Sequence, residues 1–363
     1  MRPRLSPTMD RFMAGSFFAP FVVCLAAFTI AYLIGDVFDR FDDLMHYGGF
    51  GLLGAEYFAL KLPLAVSQLM PVACLAGVLL GLAILNRSGE VLACQQLGIS
   101  RLEMATPILM VAIVVSLANF MLSETVVPYT TRQARYLYEV ELKRRTLRSI
   151  FANQHIWVRV SDGFLSADSY DHRHHTLHDV TLYKIAPDFS LNDIVRAQTA
   201  VWNGHSWVPQ KLDTIELKHG NVQPVPSSAF RVDLDPADFG LLQLDPEEFS
   251  LWELDRYIDG LHEKGLDPGG YVVDRDLKYA MPLSCLIMVA LGVVLSLDPL
   301  PRHLSLGRSF GLAISIGFGY WLALGVTSSL GHSGLIPAWV AAWTPNLLFA
   351  IIALSLFLVG EER

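Results

Sequence analysis

Charge is what this sequence has least of. Lys, Arg, Asp and Glu supply 17% of its 363 residues against 52% hydrophobic, and they are absent from residues 12–35, 62–86, 104–123, 279–297, 309–330 and 339–360. A soluble chain of this length would form two or three domains with charge spread over their surfaces. A mean hydropathy of +0.39, with the charges gathered between neutral runs, excludes that. Runs of about 20 apolar residues are what a helix needs to cross roughly 30 Å of hydrocarbon, so six membrane spans are expected. The first is too long for the apolar core of a signal peptide and reads as a retained span.

Other absences narrow the function. The net charge of −8 does not suggest the clustered basic face of a nucleic-acid binder. The four cysteines are Cys24, Cys74, Cys94 and Cys285; none lies in the long polar insert, so no disulfide framework is expected. There is no G-x-x-x-x-G-K-[ST] phosphate loop, H-E-x-x-H or G-x-S-x-G. Tyr and Trp apart, the runs carry only Ser, Thr, Asn, Gln and Cys as polar groups, whereas an intramembrane enzyme needs an ionisable or nucleophilic group at that depth. Ser116, Asn119, Ser315 and Thr327 read as helix–helix hydrogen-bonding residues. The one metal-like stretch, Asp171, His172, Arg173, His174 and His175 followed by His178 and Asp179, reads as a solvated turn. Its adjacent histidines lack the i, i+4 spacing that aims two rings at one ion, so no metal is expected.

Orientation follows from the basic residues of the short loops. Arg2, Arg4, Arg11, Arg87, Arg101, Arg302 and Arg308 lie on one side; Asp36, Asp39, Asp42 and Asp43 against one Arg40, and a last loop with only His332, lie on the other. Both termini are therefore expected in the cytoplasm, with the insert between spans three and four outside. Pro63, Pro71, Pro107, Pro282 and Pro345 are expected near span ends or first turns, where a missing N–H matters least.

The insert, residues 129–276, is expected to begin as a polar helical continuation of span three and to become strand-like from Gln154. Ile156, Val158 and Val160 alternate with Trp157 and Arg159, and Ile215 and Leu217 with Thr214 and Glu216. Asn203-Gly204 is a two-residue hairpin signal, and the spacing predicts a small antiparallel sandwich. Ser250 and Glu253 form a capping box before a helix with Leu251, Leu254, Ile258 and Leu261 on one face. Gly265 ends that helix, and Asp267-Pro268 starts the next. The expected organisation is residues 1–128 with spans one to three, 129–276 as the β-rich domain with flanking helices, and 277–363 with spans four to six.

Between spans two and three, RSGEVLACQQLGISR is long enough for a short helix, with Ser88 as its cap and Gly98 as its close. Val91, Leu92 and Gln95 are expected to form a face turned away from the bilayer. The pattern fits equally an interfacial connecting helix and a docking element for a cytoplasmic partner.

This loop resembles the coupling helix of the LptF/LptG family of lipopolysaccharide export permeases, with its Ser-Glu-(apolar)₂ run ending in Gly-(apolar)-Ser. The resemblance covers the whole chain. DRFMAGSFFAPF resembles the family's opening segment, LPLAVSQLMPVACLAGVLLGLAIL its second span and SETVVPYTTRQAR the exit from its third. FSLWELDRYIDGLHEKGLDPGGYVVDRDLKYAMPLS resembles the G-type members in particular. The resemblance implies a membrane α-helical bundle of six spans, three plus three, around an inserted periplasmic antiparallel β domain of jellyroll type. It implies a paired F-type permease (LptF), a cytoplasmic ATPase dimer (LptB), a single-span subunit (LptC) and a periplasmic bridge (LptA). Lipopolysaccharide would be taken from the outer leaflet of the inner membrane. The chain would have no cofactor of its own, ATP and Mg belonging to the ATPase.

Carried over by position, Ser88, Glu90, Val91, Leu92, Gln95 and Gly98 form the coupling helix, with Glu90 its responsive glutamate. Arg135 matches a basic residue facing the sugar-phosphate head. Phe28 and Tyr32, one turn apart, lie where the family has its lateral gate; Arg40 and Arg132 are further lipid-facing candidates. One departure is the acidic first loop, where G-type relatives often carry lysines: Asp36, Asp42 and Asp43 would repel a phosphorylated glycolipid unless divalent cations or partner arginines intervene, and the loop reads first as simply an acidic outer loop consistent with the topology. The competing function is a mechanotransmission protein, in which ATPase strokes act on periplasmic partners without moving lipid; such proteins usually have four spans, with the large domain after the first.

Overall fold

The computed structural model describes residues 7–41, 45, 51–138, 156–160, 163–171, 175–185, 191–216, 245–263, 268–297 and 306–361. Its helices are α1 (Pro7–Asp39), α2 (Leu52–Ser88), α3 (Glu90–Gln96), α4 (Arg101–Met121), α5 (Val127–Tyr136), α6 (Leu251–Glu263), α7 (Gly269–Leu297), α8 (Leu306–His332) and α9 (Ala338–Glu361). A π-helical turn, Leu122–Val126, joins α4 to α5 without a break. Among the described residues, six helical stretches are long and apolar enough to cross a membrane: Thr8–Asp39, Leu53–Ser88, Arg101–Tyr136, Gly269–Leu297, Leu306–His332 and Ala338–Val359.

The six charge-free runs thus fall one in each spanning helix, and the helices outlast them. Pro63 and Pro71 lie well inside α2, Pro107 inside α4, Pro282 inside α7 and Pro345 inside α9. The expectation that they mark span ends and first turns is corrected. An apolar run measures hydrocarbon depth, whereas the helix continues through the polar interface. In lipid, neighbouring helices re-satisfy the backbone that a proline frees.

The chain divides into two compact units. The helical unit takes Met1–Asp42, Phe58–Gln133 and Pro246–Arg363. Lipid is as apolar as leucine, so its helices are held by close packing and hydrogen bonds rather than by the hydrophobic effect. Gly77 and Gly81, one turn apart on α2, supply the first. A Cβ on Gly81 would lie 2.1 Å from the Ser16 carbonyl oxygen, and one on Gly77 2.7 Å from Phe21 Cα. Polar side chains supply the second. Ser116 Oγ donates to the Pro282 carbonyl at 2.7 Å, Asn346 Nδ2 to the Ala280 carbonyl at 2.7 Å and Tyr320 OH to Asn346 Oδ1 at 3.0 Å. Asn119 Nδ2 lies 3.7 Å from Cys285 Sγ. Ser116 and Asn119 therefore link helices, as expected. Ser315 and Thr327 do not: their hydroxyls bond carbonyls of their own helix, Gly311 and Leu324.

The second unit takes Asp43–Tyr57 and Ala134–Asp245. Its described strands are β1 (Ile156–Val160), β2 (Gly163–Ala167), β3 (Ser169–Asp171), β4 (Thr176–Ile185), β5 (Leu191–Trp202) and β6 (Trp207–Glu216). All pair antiparallel in the order β1-β2-β4-β5-β6, with β3 on β4. Leu165, Leu182 and Val195 stand in register across β2, β4 and β5 and are buried with Val180, Ala197 and Trp207 on one face. The described strands form a single sheet, with no second layer of the expected sandwich among the described residues; Leu217 lies outside them. The hairpin signal is right in place and wrong in length. The strands close at Trp202 and Trp207, leaving a four-residue loop. Asn203 Oδ1 accepts the N–H groups of His205 and Ser206 at 3.0 and 2.8 Å, so its side chain builds the turn as an Asx motif. His172, Arg173 and His174 lie outside the described residues. Among the described residues, no group of three or more His, Cys, Asp or Glu is placed to hold a metal.

Candidate functional site

The short helix between spans two and three is set by two left-handed glycines. Gly89, at φ +79°, breaks α2 from α3 and is the N-cap, with no side-chain cap bond. Ser88 is not the cap that the sequence suggested: it is the last residue of α2 and donates back to the Leu85 carbonyl at 3.1 Å. A residue with φ above zero is needed there to turn the chain, which glycine provides at least cost. At the other end Gly98 has φ +83°. The Ile99 N–H reaches the Cys94 carbonyl at 3.1 Å, and the Gly98 N–H the Gln95 carbonyl at 3.0 Å. This 6→1 and 5→2 pair is a Schellman close, so Gly98 ends the helix as expected. Ser100 and Glu103 then cap span three reciprocally.

The helix has one face inward and one outward, divided differently from the expectation. Val91 and Cys94 are buried and pack into the bundle core with Met104 and Ile108. Val91 is therefore removed from the outward face. That face is carried by Leu92, 48% exposed, and Leu97, 81% exposed, with Gln96 beside them; Gln95 is half-buried. Leu97 was missed because it lies just past the last helical residue, where helical periodicity gives no guidance. Glu90 heads the helix, and one of its carboxylate oxygens is buried with no hydrogen-bond donor among the described residues. Burial, and then the Glu90 charge, push the Cys94 thiol above its usual range, so it is a packing residue rather than a nucleophile.

Toward the other ends of the spans lies a set of charges. Asp36 of α1 is ion-paired with Lys61 of α2, and Arg40 Nε stands 3.6 Å from the same carboxylate. Part of the acidic first loop is thus compensated within the chain. Asp42 and Asp43 lie outside the described residues. Lys61 was not singled out in the sequence, although it borders the second apolar run as Asp36 borders the first.

Arg132 donates from Nε to the Glu248 carbonyl at 2.8 Å and pairs with the Glu253 carboxylate. It is a clamp within the protein, its side chain 39% exposed. Burial pushes the Glu253 carboxyl up. The Ser250 N–H, the Arg132 guanidinium and the Ser250 hydroxyl outweigh it and hold the group below the usual carboxylate range. The capping box at Ser250 and Glu253 is present as expected, and Lys278 Nζ donates to the Phe249 carbonyl at 2.6 Å. Arg135 Nη1 stands 3.7 Å from Asp245 and is partly exposed. Phe28 stacks on Phe310 of α8, ring centroids 6.1 Å apart, and Tyr32 is half-buried one turn further along α1.

Residues 11–359 match the family model described as lipopolysaccharide export system permease LptF/LptG. The chain belongs to the LptF/LptG family. It is a permease of lipopolysaccharide export and, with six spanning helices, a multi-pass protein of the inner membrane. Among its relatives is the lipopolysaccharide export system permease protein LptG of Escherichia coli K12, 26% identical over 359 residues, covering 96% of this chain and 98% of the relative. The LptG of Escherichia coli O6:H1 matches to the same extent. Both are G-type proteins, the type the segment around α6 resembles. Three spans precede the sheet and three follow it, which is not the four-span layout of a mechanotransmission protein.

Proposed function

We propose that this chain is the G-type half of an ATP-driven transporter that withdraws lipopolysaccharide from the outer leaflet of the inner membrane. In this reading it pairs with an F-type permease, LptF. A cytoplasmic ATPase dimer, LptB, docks on α3, the single-span LptC binds alongside, and LptA receives the lipid in the periplasm. Both termini and α3 face the cytoplasm and the β unit faces the periplasm, in line with the arginines of the short loops. The chain needs no cofactor of its own, ATP and Mg being bound by the ATPase.

The observation that carries the coupling role is α3 itself. It is a seven-residue helix whose inner face is locked into the bundle by Val91 and Cys94, while Leu92 and Leu97 stand out from it. A helix held this way passes a push from a docked partner directly to spans two and three. The charge-free runs of the spans hold no Asp, Glu, Lys or Arg, and in this reading the work arrives from outside. Phe28 and Tyr32 with the α8 ring of Phe310 are suited to acyl chains, and Arg135 and Arg40 to phosphates.

The test measures ATPase binding and hydrolysis in a complex reconstituted with Glu90→Ala. The proposal expects an assembled complex whose hydrolysis no longer tracks lipopolysaccharide. Normal lipid-stimulated hydrolysis by that variant would sink the role of Glu90.

A further inference from the structure

α8 ends at His332, and residues 333–343, which lead on into α9, hold no Asp, Glu, Lys, Arg, His, Cys or Tyr. The His332 ring is held at both nitrogens. Nδ1 lies 2.8 Å from the Ser328 carbonyl oxygen, one turn back on the same helix, and Nε2 lies 3.0 Å from Oδ1 of Asp274 on α7. Close packing brings three helices together here. A Cβ on Gly331 would stand 2.5 Å from Ala341 Cβ of α9 and 3.0 Å from Val273 Cγ2 of α7. Of these two neighbours, α8 packs more extensively on α9 than on α7, which gives a side-chain tie to α7 more weight.

We propose that His332 and Asp274 form a proton-held latch between the fifth and fourth spans, closed while the pair holds one added proton and released when that proton leaves.

The count of donors carries this. A carbonyl oxygen only accepts, so Nδ1 carries a hydrogen. In a neutral imidazole Nε2 is then a bare acceptor, and it faces a carboxylate oxygen with no hydrogen between them. The contact is satisfied when a further proton sits on Nε2 and the ring is an imidazolium. The C-terminal end of a helix favours a cation, and His332 is the last residue of α8. Among the described residues the charges facing Asp274 are His332, Glu247 and, one turn further along α7, Lys278. Lys278 Nζ donates to the Phe249 carbonyl, and Arg275 and Asp276, next along α7, pair with each other. The hydrogen bond to the Asp274 carboxylate comes from His332. A separated histidine and aspartate hold one proton fewer above about pH 6.5, the ordinary midpoint of histidine. Opening therefore releases a proton, so the latch weakens as the pH rises through the neutral range and tightens as it falls. The latch does not rest on lipopolysaccharide transport, and its test is read without it.

The full chain, with 15N in its histidine rings, is placed in phosphatidylcholine nanodiscs and titrated by NMR, and His332→Gln identifies the signal by its loss. The wild-type ring is expected to keep both hydrogens to a pH about one unit higher than in Asp274→Asn, a tenfold difference in proton affinity. Hydrogen exchange at residues 328–334, corrected for the chemical rate, reads the latch itself. It should speed up in the wild type between about pH 6 and pH 8.5 and be fast at both in His332→Gln. Asp274→Asn offers an N–H to the neutral ring, and its exchange should not depend on pH. Equal ring midpoints in wild type and Asp274→Asn overturn the proposal. So does wild-type exchange that is the same at both pH values, a comparison that decides alone should Asp274→Asn fail to fold.

Discussion

The Leu251 N–H, at the start of α6, donates to the carboxylate of Glu124 at 2.8 Å across 127 residues of sequence. Glu124 lies in the π-helical turn that interrupts the third span. A π-turn adds a residue to the helical repeat and so re-aims the side chains that follow. Here it stands where a carboxylate meets the N-terminus of α6, the end that favours negative charge. Arg132 and Lys278 hold the carbonyls of Glu248 and Phe249. The chain re-entering the helical unit is thus held from spans three and four together.

Removing either side of this clamp should loosen α6 while leaving the spans intact. Glu124→Ala and Arg132→Ala are each expected to cost about 1–2 kcal/mol. Hydrogen exchange at residues 251–254 should rise in both variants, with little change in the span helices.

The same clamp makes a pH prediction. The Glu253 carboxyl is held below its ordinary range in the folded protein. Its contribution is therefore fully present above the unfolded pKa, about 4.3, and is lost as the pH falls through the lower folded value. Both partners are partly exposed, so the effect is small, under about 1 kcal/mol. Melting curves in detergent from pH 7 down to about pH 3 should show a steeper loss in the wild type than in Glu253→Gln.

The Asp36–Lys61 pair is more enclosed, with side chains 12% and 15% exposed. Lys61→Ala should destabilise by up to about 3 kcal/mol, because it strands a carboxylate in a poorly solvated place; Arg40 keeps part of the compensation. The double variant Asp36→Asn with Lys61→Met should regain most of that loss in a thermal-melt double-mutant cycle. A full additive loss would show that the two groups do not act as a pair.

The two faces of α3 should separate in mutagenesis. Leu97→Glu is expected to leave the chain folded and its melting temperature within about 1 °C of wild type, since exposed substitutions seldom exceed 0.5 kcal/mol, yet to weaken ATPase binding at least tenfold. Val91→Asp is expected to lower folded yield, because it puts a charge into the bundle core. Size-exclusion profiles and ATPase co-purification read both.

The six spans were legible because hydrocarbon tolerates no unpaired charge, and runs free of it announce themselves. Their ends were not, since helices pass beyond the hydrocarbon, so Pro63 and Pro71 were assigned to ends and lie inside α2. The position of α3 was legible from Gly98, and the capping box from Ser250 and Glu253. The inward turn of Val91 was not, because a seven-residue helix has too few turns for periodicity to fix its face. Arg132 was singled out as a cation, but its acceptors lie 116 and 121 residues away. Contacts of that kind come from tertiary packing, as does the π-turn at Glu124.

The proposed transporter moves lipopolysaccharide under ATP. The direct measurement is transfer of lipopolysaccharide from proteoliposomes holding this chain, an F-type permease, the ATPase dimer and the single-span subunit to a soluble periplasmic acceptor. Transfer that requires ATP and stops when this chain is left out is the result expected. ATP hydrolysis by the same assembly with no lipopolysaccharide reaching the acceptor would contradict it.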